Sequence, residues 1–372
     1  MSTPIVRRYT EADREGFGRV RSMTYRGGAP IGEEENLLRP DCLGYVVELE
    51  GRIVGALTAL KMTCNIDGTH LPCAGVAAVG VVPEARRLGV GSALMTESLR
   101  LFREDGFVFA SLYPFRETYY SRFGYVTCGG RVRVTMPTTR FPRSKVDLPV
   151  RMLSGSEYEQ VRACFDKFCD RYNGSSRRSP EVWADTDPYY VVGDPIEGFI
   201  QIKLGGDFWS PLNTADLVWT TERSYYALLD VLHGLAINRS EASWYEPTDG
   251  PYLQVLDQGV RTQVERLLMY RTLDIEKALS AKKPTAKGSV ILDVHDPILP
   301  EISGRWAVEF SPDQVSVLRS NTGGYLIDQR RLTQALLGQP AFATLHDDGF
   351  LPHFPPLEAL LPGRRVYCPD FY

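Results

Sequence analysis

The sequence predicts a mixed α/β protein of two or three domains, and three observations carry that prediction. At 372 residues the chain is too long for one compact core. Val76–Tyr125 reads as strand, basic glycine-rich turn, helix, strand and tyrosine-rich turn, the pattern of an α/β unit. Strands and helices alternate again beyond residue 150, with no second basic glycine turn.

Ile5–Arg8 is short and apolar enough for a strand. Glu11–Met23 reads as a helix, with Thr10 as N-cap and acidic residues in its first turn. Gly27, Gly28, Pro30 and Gly32 then break the pattern. The acidic triplet Glu33-Glu34-Glu35 suits either a solvated helix start or a wall that attracts an amine. Leu43–Glu50 and Ile53–Cys64 form a hairpin about Gly51-Arg52, and Asp67-Gly68 turns the chain into a third strand, His70–Val82. A helix followed by an antiparallel meander is not the order of a dinucleotide-binding Rossmann domain.

The helix of the central unit is Ser92–Asp105. Leu94, Met95, Leu99, Leu101 and Phe102 face one way, and Thr96, Glu97, Arg100, Arg103 and Glu104 the other. Phe107–Leu112 is the next strand, and Arg131–Met136 is expected to finish the first domain. The proline-bearing stretch 137–149 reads as a linker. Beyond it, Glu157–Tyr172 and Ser224–Ala236 read as helices, and Tyr189–Val192, Gly198–Lys203 and Ala215–Thr220 as strands. Ala278–Gly288 marks another boundary. Val290–Val294, Gly304–Phe310 and Gln314–Arg319 are strand-like, and Asp328–Leu337 is helical.

A net charge of −4 without a basic block gives no reason to expect nucleic acid. Seven scattered cysteines lack zinc-type spacing, and the five histidines form no ligand pair, so no metal is assigned. Reduced thiols, an N-terminus without a signal-like apolar core, and no apolar run of the ~20 residues a bilayer requires lead to the expectation of a cytoplasmic protein with no membrane partner.

The basic turn carries the chemistry. Between a strand and a helix, its backbone N–H groups join the unpaired donors of the helix N-terminus, where the macrodipole favours an anion. Gly89 and Gly91 leave room for a phosphate against the backbone, and Arg86 and Arg87 add charge-assisted contacts. No Lys follows Gly91, which excludes a Walker loop. Gly89-x-Gly91-x-x-Leu94 lacks the third small residue of a dinucleotide fingerprint. Tyr119 and Tyr120 follow the second strand; a phenol there can pack or donate a proton.

Arg86-x-x-Gly89-x-Gly91 after a strand resembles the acyl-CoA motif of the GNAT acetyltransferases. Gly80 inside the preceding strand suggests a bulge or a close backbone approach. In that superfamily such a bulge splays two strands to admit the pantetheine arm. The resemblance therefore implies acetyl-CoA as cosubstrate, with Arg86, Arg87, Gly89, Gly91 and Ser92 at the pyrophosphate and Val79 and Val81 at the pantetheine. A backbone N–H there would stabilise developing oxyanion charge.

Tyr120-Ser121-Arg122-Phe123-Gly124-Tyr125 narrows the likeness to Eis-type N-acetyltransferases, whose Y-x-R-F-G-Y segment it resembles. This implies an active GNAT domain (1–140), a second GNAT-like domain without a CoA site (141–284), and a domain similar to sterol carrier protein (285–372), from which no bound lipid is expected. It also implies Tyr120 as general acid, the α-carboxylate of Tyr372 assisting the amine (Asp370 being the alternative carboxylate), and a homohexamer. The acceptor would be a primary amine: an aminoglycoside, lysine or a polyamine-like molecule, received by Arg19–Asn36 and the second domain. A CoA-binding protein with another acyl donor or a non-catalytic role is the rival reading.

Overall fold

The computed structural model describes residues 3–32, 37–183, 187–202, 210–266 and 268–370. Among these residues the strands form three sheets. The chain divides into two compact units, one built from Met1–Cys128 with Leu268–Arg364, the other from Gly129–Leu267 with Arg365–Asp370.

The first unit begins with β1 (Ile5–Arg8), α1 (Arg14–Tyr25), β2 (Cys42–Leu49), β3 (Arg52–Ile66) and β4 (Thr69–Val81). It continues through α2 (Val90–Glu104), β5 (Phe109–Leu112), α3 (Glu117–Tyr120) and β6 (Val126–Thr127). Strands β1 to β4 are an antiparallel meander, and β5 lies parallel to β4 across the α2 crossover. Helix α2 buries Leu94, Met95, Ser98, Leu99 and Phe102, the face its periodicity predicts.

The second unit holds β7 (Arg131–Pro137), β8 (Val150–Leu153), α4 (Glu159–Cys169), α5 (Pro180–Trp183), β9 (Tyr189–Val192) and β10 (Gly198–Ile202). After these come β11 (Leu212–Trp219), α6 (Glu222–Leu235), β12 (Glu241–Pro247), α7 (Tyr252–Val255) and β13 (Arg261–Glu265). Its sheet runs β13-β7-β12-β11-β10-β9-β8. The strand at Arg131, expected to finish the first domain, instead pairs along its whole length with β12 and over residues 131–135 with β13. Alternation of Val132, Val134 and Met136 gives a half-buried strand but does not say which sheet it joins.

The tail closes on this same unit. Asn173 donates its N–H to the Arg365 carbonyl (2.9 Å) and accepts from the Tyr367 N–H (3.2 Å), and Tyr367 joins the core of Phe168, Tyr172 and Trp219. Buried Arg178 bridges Asp370 (2.6 Å) and Asp216 (2.6 Å). Burial pushes the Asp370 carboxyl above its usual range against the pull of Arg178.

The chain re-enters the first unit at β14 (Met269–Thr272), which inserts antiparallel between β5 and β6. Helix α8 (Ile275–Ser280) leads to the third sheet, β15 (Gly288–His295), β16 (Gly304–Phe310), β17 (Val315–Ser320) and β18 (Tyr325–Asp328), ordered β17-β16-β15-β18. Helix α9 (Gln329–Leu337) follows, its first N–H groups capped by the Asp328 carboxylate.

Candidate active site

Strand β4 sets the geometry. Thr58 pairs with Ala77 and Ala56 with Gly80, so Leu57 alone faces both Ala78 and Val79. This is a β-bulge, and Ala78 takes a left-handed φ of 50° to make it. Parallel pairing with β5 ends at Val76↔Leu112, so beyond Val76 the two strands diverge. The bulge thus sits at Ala78–Val79 rather than at Gly80. Gly80 serves the other purpose of an interior glycine, close approach: a Cβ there would stand 2.6 Å from Thr24 Oγ1 and 3.1 Å from Val20 Cγ1 of α1.

The ladder determines which way Val81 points. The Val82 N–H donates to the Val54 carbonyl (2.9 Å), and bonded and non-bonded pairs alternate along an antiparallel ladder. Val81, opposite Gly55, therefore turns its N–H and C=O toward the gap beside β5. Arg86 Nε donates to the Val81 carbonyl (3.2 Å), and the Tyr25 hydroxyl donates to that of Val79 (2.8 Å).

The basic turn follows β4 directly. Gly89 is the N-cap of α2 with φ 80°, a conformation that favours glycine, and no side chain caps the helix. The N–H groups of Val90, Gly91 and Ser92 precede the first helical hydrogen bond, Ala93 to Gly89 (2.9 Å), and have no helical acceptor. Arg86 and Arg87 are exposed beside them. A Cβ on Gly91 would lie 2.9 Å from the Tyr119 hydroxyl, so the tyrosine turn approaches the start of α2.

That turn is a short helix, α3, continued by a 3-10 turn to Gly124. Tyr120 is buried, its ring edge-on to Tyr119 (5.1 Å), Phe115 (5.4 Å) and Tyr125 (6.2 Å). Burial, then the neighbouring Tyr25 and Tyr119, push its phenol well above the usual tyrosine range, so it stays protonated.

These elements enclose a cavity of about 930 Å³, at the upper end of ordinary ligand cavities, ~300–1,000 Å³. Val79, Val81, Arg86, Arg87, Gly89, Gly91, Ser92 and Tyr120 all line it. Tyr372 lies outside the described residues, as does the triplet Glu33–Glu35. The lining also includes Arg21, Thr24, Tyr25 and Arg26 from the end of α1, with Ile31, Tyr113 and Phe115. Residues 21–26 fall inside the Arg19–Asn36 stretch assigned to the acceptor, but the contact of Tyr25 with β4 carries no local sequence signal. Among the described residues no group of three His, Cys, Asp or Glu side chains could hold a metal ion.

Residues 6–128 match the acetyltransferase (GNAT) domain family and residues 266–369 the sterol carrier protein domain family. An uncharacterized N-acetyltransferase of Streptomyces avermitilis is 24% identical over 87% of this chain and 86% of its own. N-acetyltransferase Eis of Mycobacterium tuberculosis is 28% identical over 38% of each chain. In fold, the chain is similar over its full length to a GCN5-related N-acetyltransferase from Anabaena variabilis (TM-score 0.89, 19% identity, all of both chains). It is also similar to Eis1 from Mycobacterium abscessus (TM-score 0.81, 22% identity, 99% of this chain and 100% of that one). The bulged, splayed β4 and the uncapped glycine turn lie within the matched residues: the chain carries a GNAT acetyltransferase domain and a C-terminal sterol carrier protein domain, and is similar to Eis-type N-acetyltransferases.

Proposed function

We propose that the protein transfers an acetyl group from acetyl-CoA directly to a primary amine in the cavity beside β4. The observation that carries this reading is the convergence of an anion-accepting helix start, an open strand edge and a buried protonated phenol on one cavity. Acetyl-CoA supplies an activated acetyl thioester. The residues present suit it: the free N–H groups opening α2, with Arg86 and Arg87, would hold the pyrophosphate. The splayed edge at Val79–Val81 would receive the pantetheine amides, and the inward Val81 N–H is placed to stabilise oxyanion charge.

Tyr120 would face the departing sulfur. A thiol like that of cysteine has a pKa of ~8.5, below that of an ordinary phenol at ~10. Burial raises Tyr120 further, so proton transfer to a free thiolate is uphill. The phenol therefore hydrogen-bonds the sulfur as the C–S bond breaks and passes its proton only in step with loss of a proton from the amine; that amine proton returns through carboxylate or water to the phenolate, so amine and thioester become amide and thiol and Tyr120 ends protonated. The α-carboxylate of Tyr372 is the proposed acceptor for that amine proton, directly or through water.

The proposed acceptor is a primary amine: an aminoglycoside, lysine or a polyamine-like molecule. The test is acetyl-CoA consumption with amino acids, aminoglycosides and polyamines supplied in parallel. Turnover with at least one primary amine is expected; CoA binding without turnover of any amine would overturn the acetyltransferase reading.

A further inference from the structure

Gly124 ends the tyrosine turn at φ 82°, and a Cβ there would fall on the Arg271 guanidinium, also 2.9 Å from Gln329 Oε1. Arg271 projects from β14 and is fully buried. Its Nη2 donates to Asp296 Oδ2 (2.7 Å) and its Nη1 to Gln329 Oε1 (2.6 Å). The other Asp296 oxygen accepts from the N–H groups of Ile298 (2.8 Å) and Leu299 (3.0 Å), so the carboxylate is itself fixed. Asp296 follows β15 and Gln329 opens α9; both, like Arg271, fall within the residues matched to the sterol carrier protein domain.

Further ties run along α9. The hydroxyls of Thr333 and Thr272 are 2.8 Å apart, and Gln334 Nε2 donates to the Thr127 carbonyl (3.2 Å). Helix α9 therefore holds both β6 and β14, the strand that carries Arg271 and that pairs into the GNAT sheet although it falls within the matched sterol-carrier residues. Tyr125, next in the chain, is fully buried and meets the Tyr120 ring edge-on at 6.2 Å. Arg271 Nε and Tyr125 Oη are both buried without a hydrogen-bond partner among the described residues, so the polar floor beneath the turn rests on the Asp296 and Gln329 contacts.

We propose that Arg271, clamped by Asp296 and Gln329, is a positioning residue for Tyr120, which rests on the acetyl-transfer reading above. The guanidinium cannot leave its carboxylate without stranding a buried charge. It fixes the Gly124–Tyr125 corner, and that corner sets the aim of the Tyr120 phenol into the cavity. The sterol-carrier-like domain acts here as a buttress for the proton donor.

The test is a double-mutant cycle in the full chain, with kcat, KM for acetyl-CoA and CoA affinity measured for each protein. Arg271→Met should lower kcat on the order of 10²-fold, the cost of a misaligned reacting group, with CoA affinity within about twofold of wild type. In a Tyr120→Phe background the same change should cost almost nothing further, because the group it aims is gone. Gln329→Met, which leaves the ion pair in place, should show a smaller loss with the same non-additivity, and it supplies the cycle if Arg271→Met does not fold. Losses that add fully in both backgrounds, or a CoA affinity that falls in step with kcat, would overturn the inference. Absence of turnover in the wild type would overturn the acetyltransferase reading and this inference with it.

Discussion

At the scale of the residue, the chemistry lies in what each side chain is denied. Gly91 has no Cβ because the Tyr119 hydroxyl stands 2.9 Å from where one would go. Gly91→Val should weaken CoA binding by ~1.5–3 kcal/mol, the worth of a charge-assisted hydrogen bond, with little change in Tm; titration calorimetry and a thermal melt would check both. Glu246, in the second unit, accepts from the Tyr225 hydroxyl (2.6 Å) and the Trp244 indole (2.6 Å), yet burial outweighs these donors and pushes its carboxyl up to about 7. The native state then binds more protons than the unfolded chain between the ordinary glutamate value and about 7. Its contribution is full at low pH and is lost as pH rises through that window, by ~3 kcal/mol in all. Thermal melts across pH 4–8 should show Glu246→Gln flattening that decline. The basic turn and Tyr120 were legible in the sequence because motif and chemistry coincide within a few residues. Tyr25 and Arg271 were not, because each acquires its meaning from a strand far away in the chain.

At the scale of the element, the α2 crossover and the β1–β4 meander follow from local pattern: an amphipathic helix, turn residues, and alternating strands. What pattern does not carry is partner choice. Strand β7 crosses to the second sheet, and β14, 157 residues beyond β5 by number (Phe109 to Leu112 against Met269 to Thr272), completes the first. A chain cut after Cys128 would keep the whole basic turn but expose the apolar edge of β5 that β14 covers. Such a fragment should aggregate or lack a cooperative thermal transition, measured by circular dichroism; a sharp, reversible melt would contradict the role given to β14. The bulge at Ala78–Val79 belongs to the same lesson. Gly80 flagged the right strand, but the backbone bends where pairing to β3 slips, and glycine is used where α1 comes close.

At the scale of the whole molecule, the sterol-carrier-like domain and the GNAT sheet belong to one compact unit and share a buried polar seam. The other unit holds the chain's tail through Asp370. The central claim is that Tyr120 assists departure of the thiol from acetyl-CoA bound at the α2 start. Its most direct test is steady-state acetyl transfer by wild type and Tyr120→Phe, with CoA affinity measured on the same preparations. The account predicts a kcat lower by ~10²–10⁴-fold in the variant and CoA binding unchanged; equal kcat values in the two proteins would contradict it.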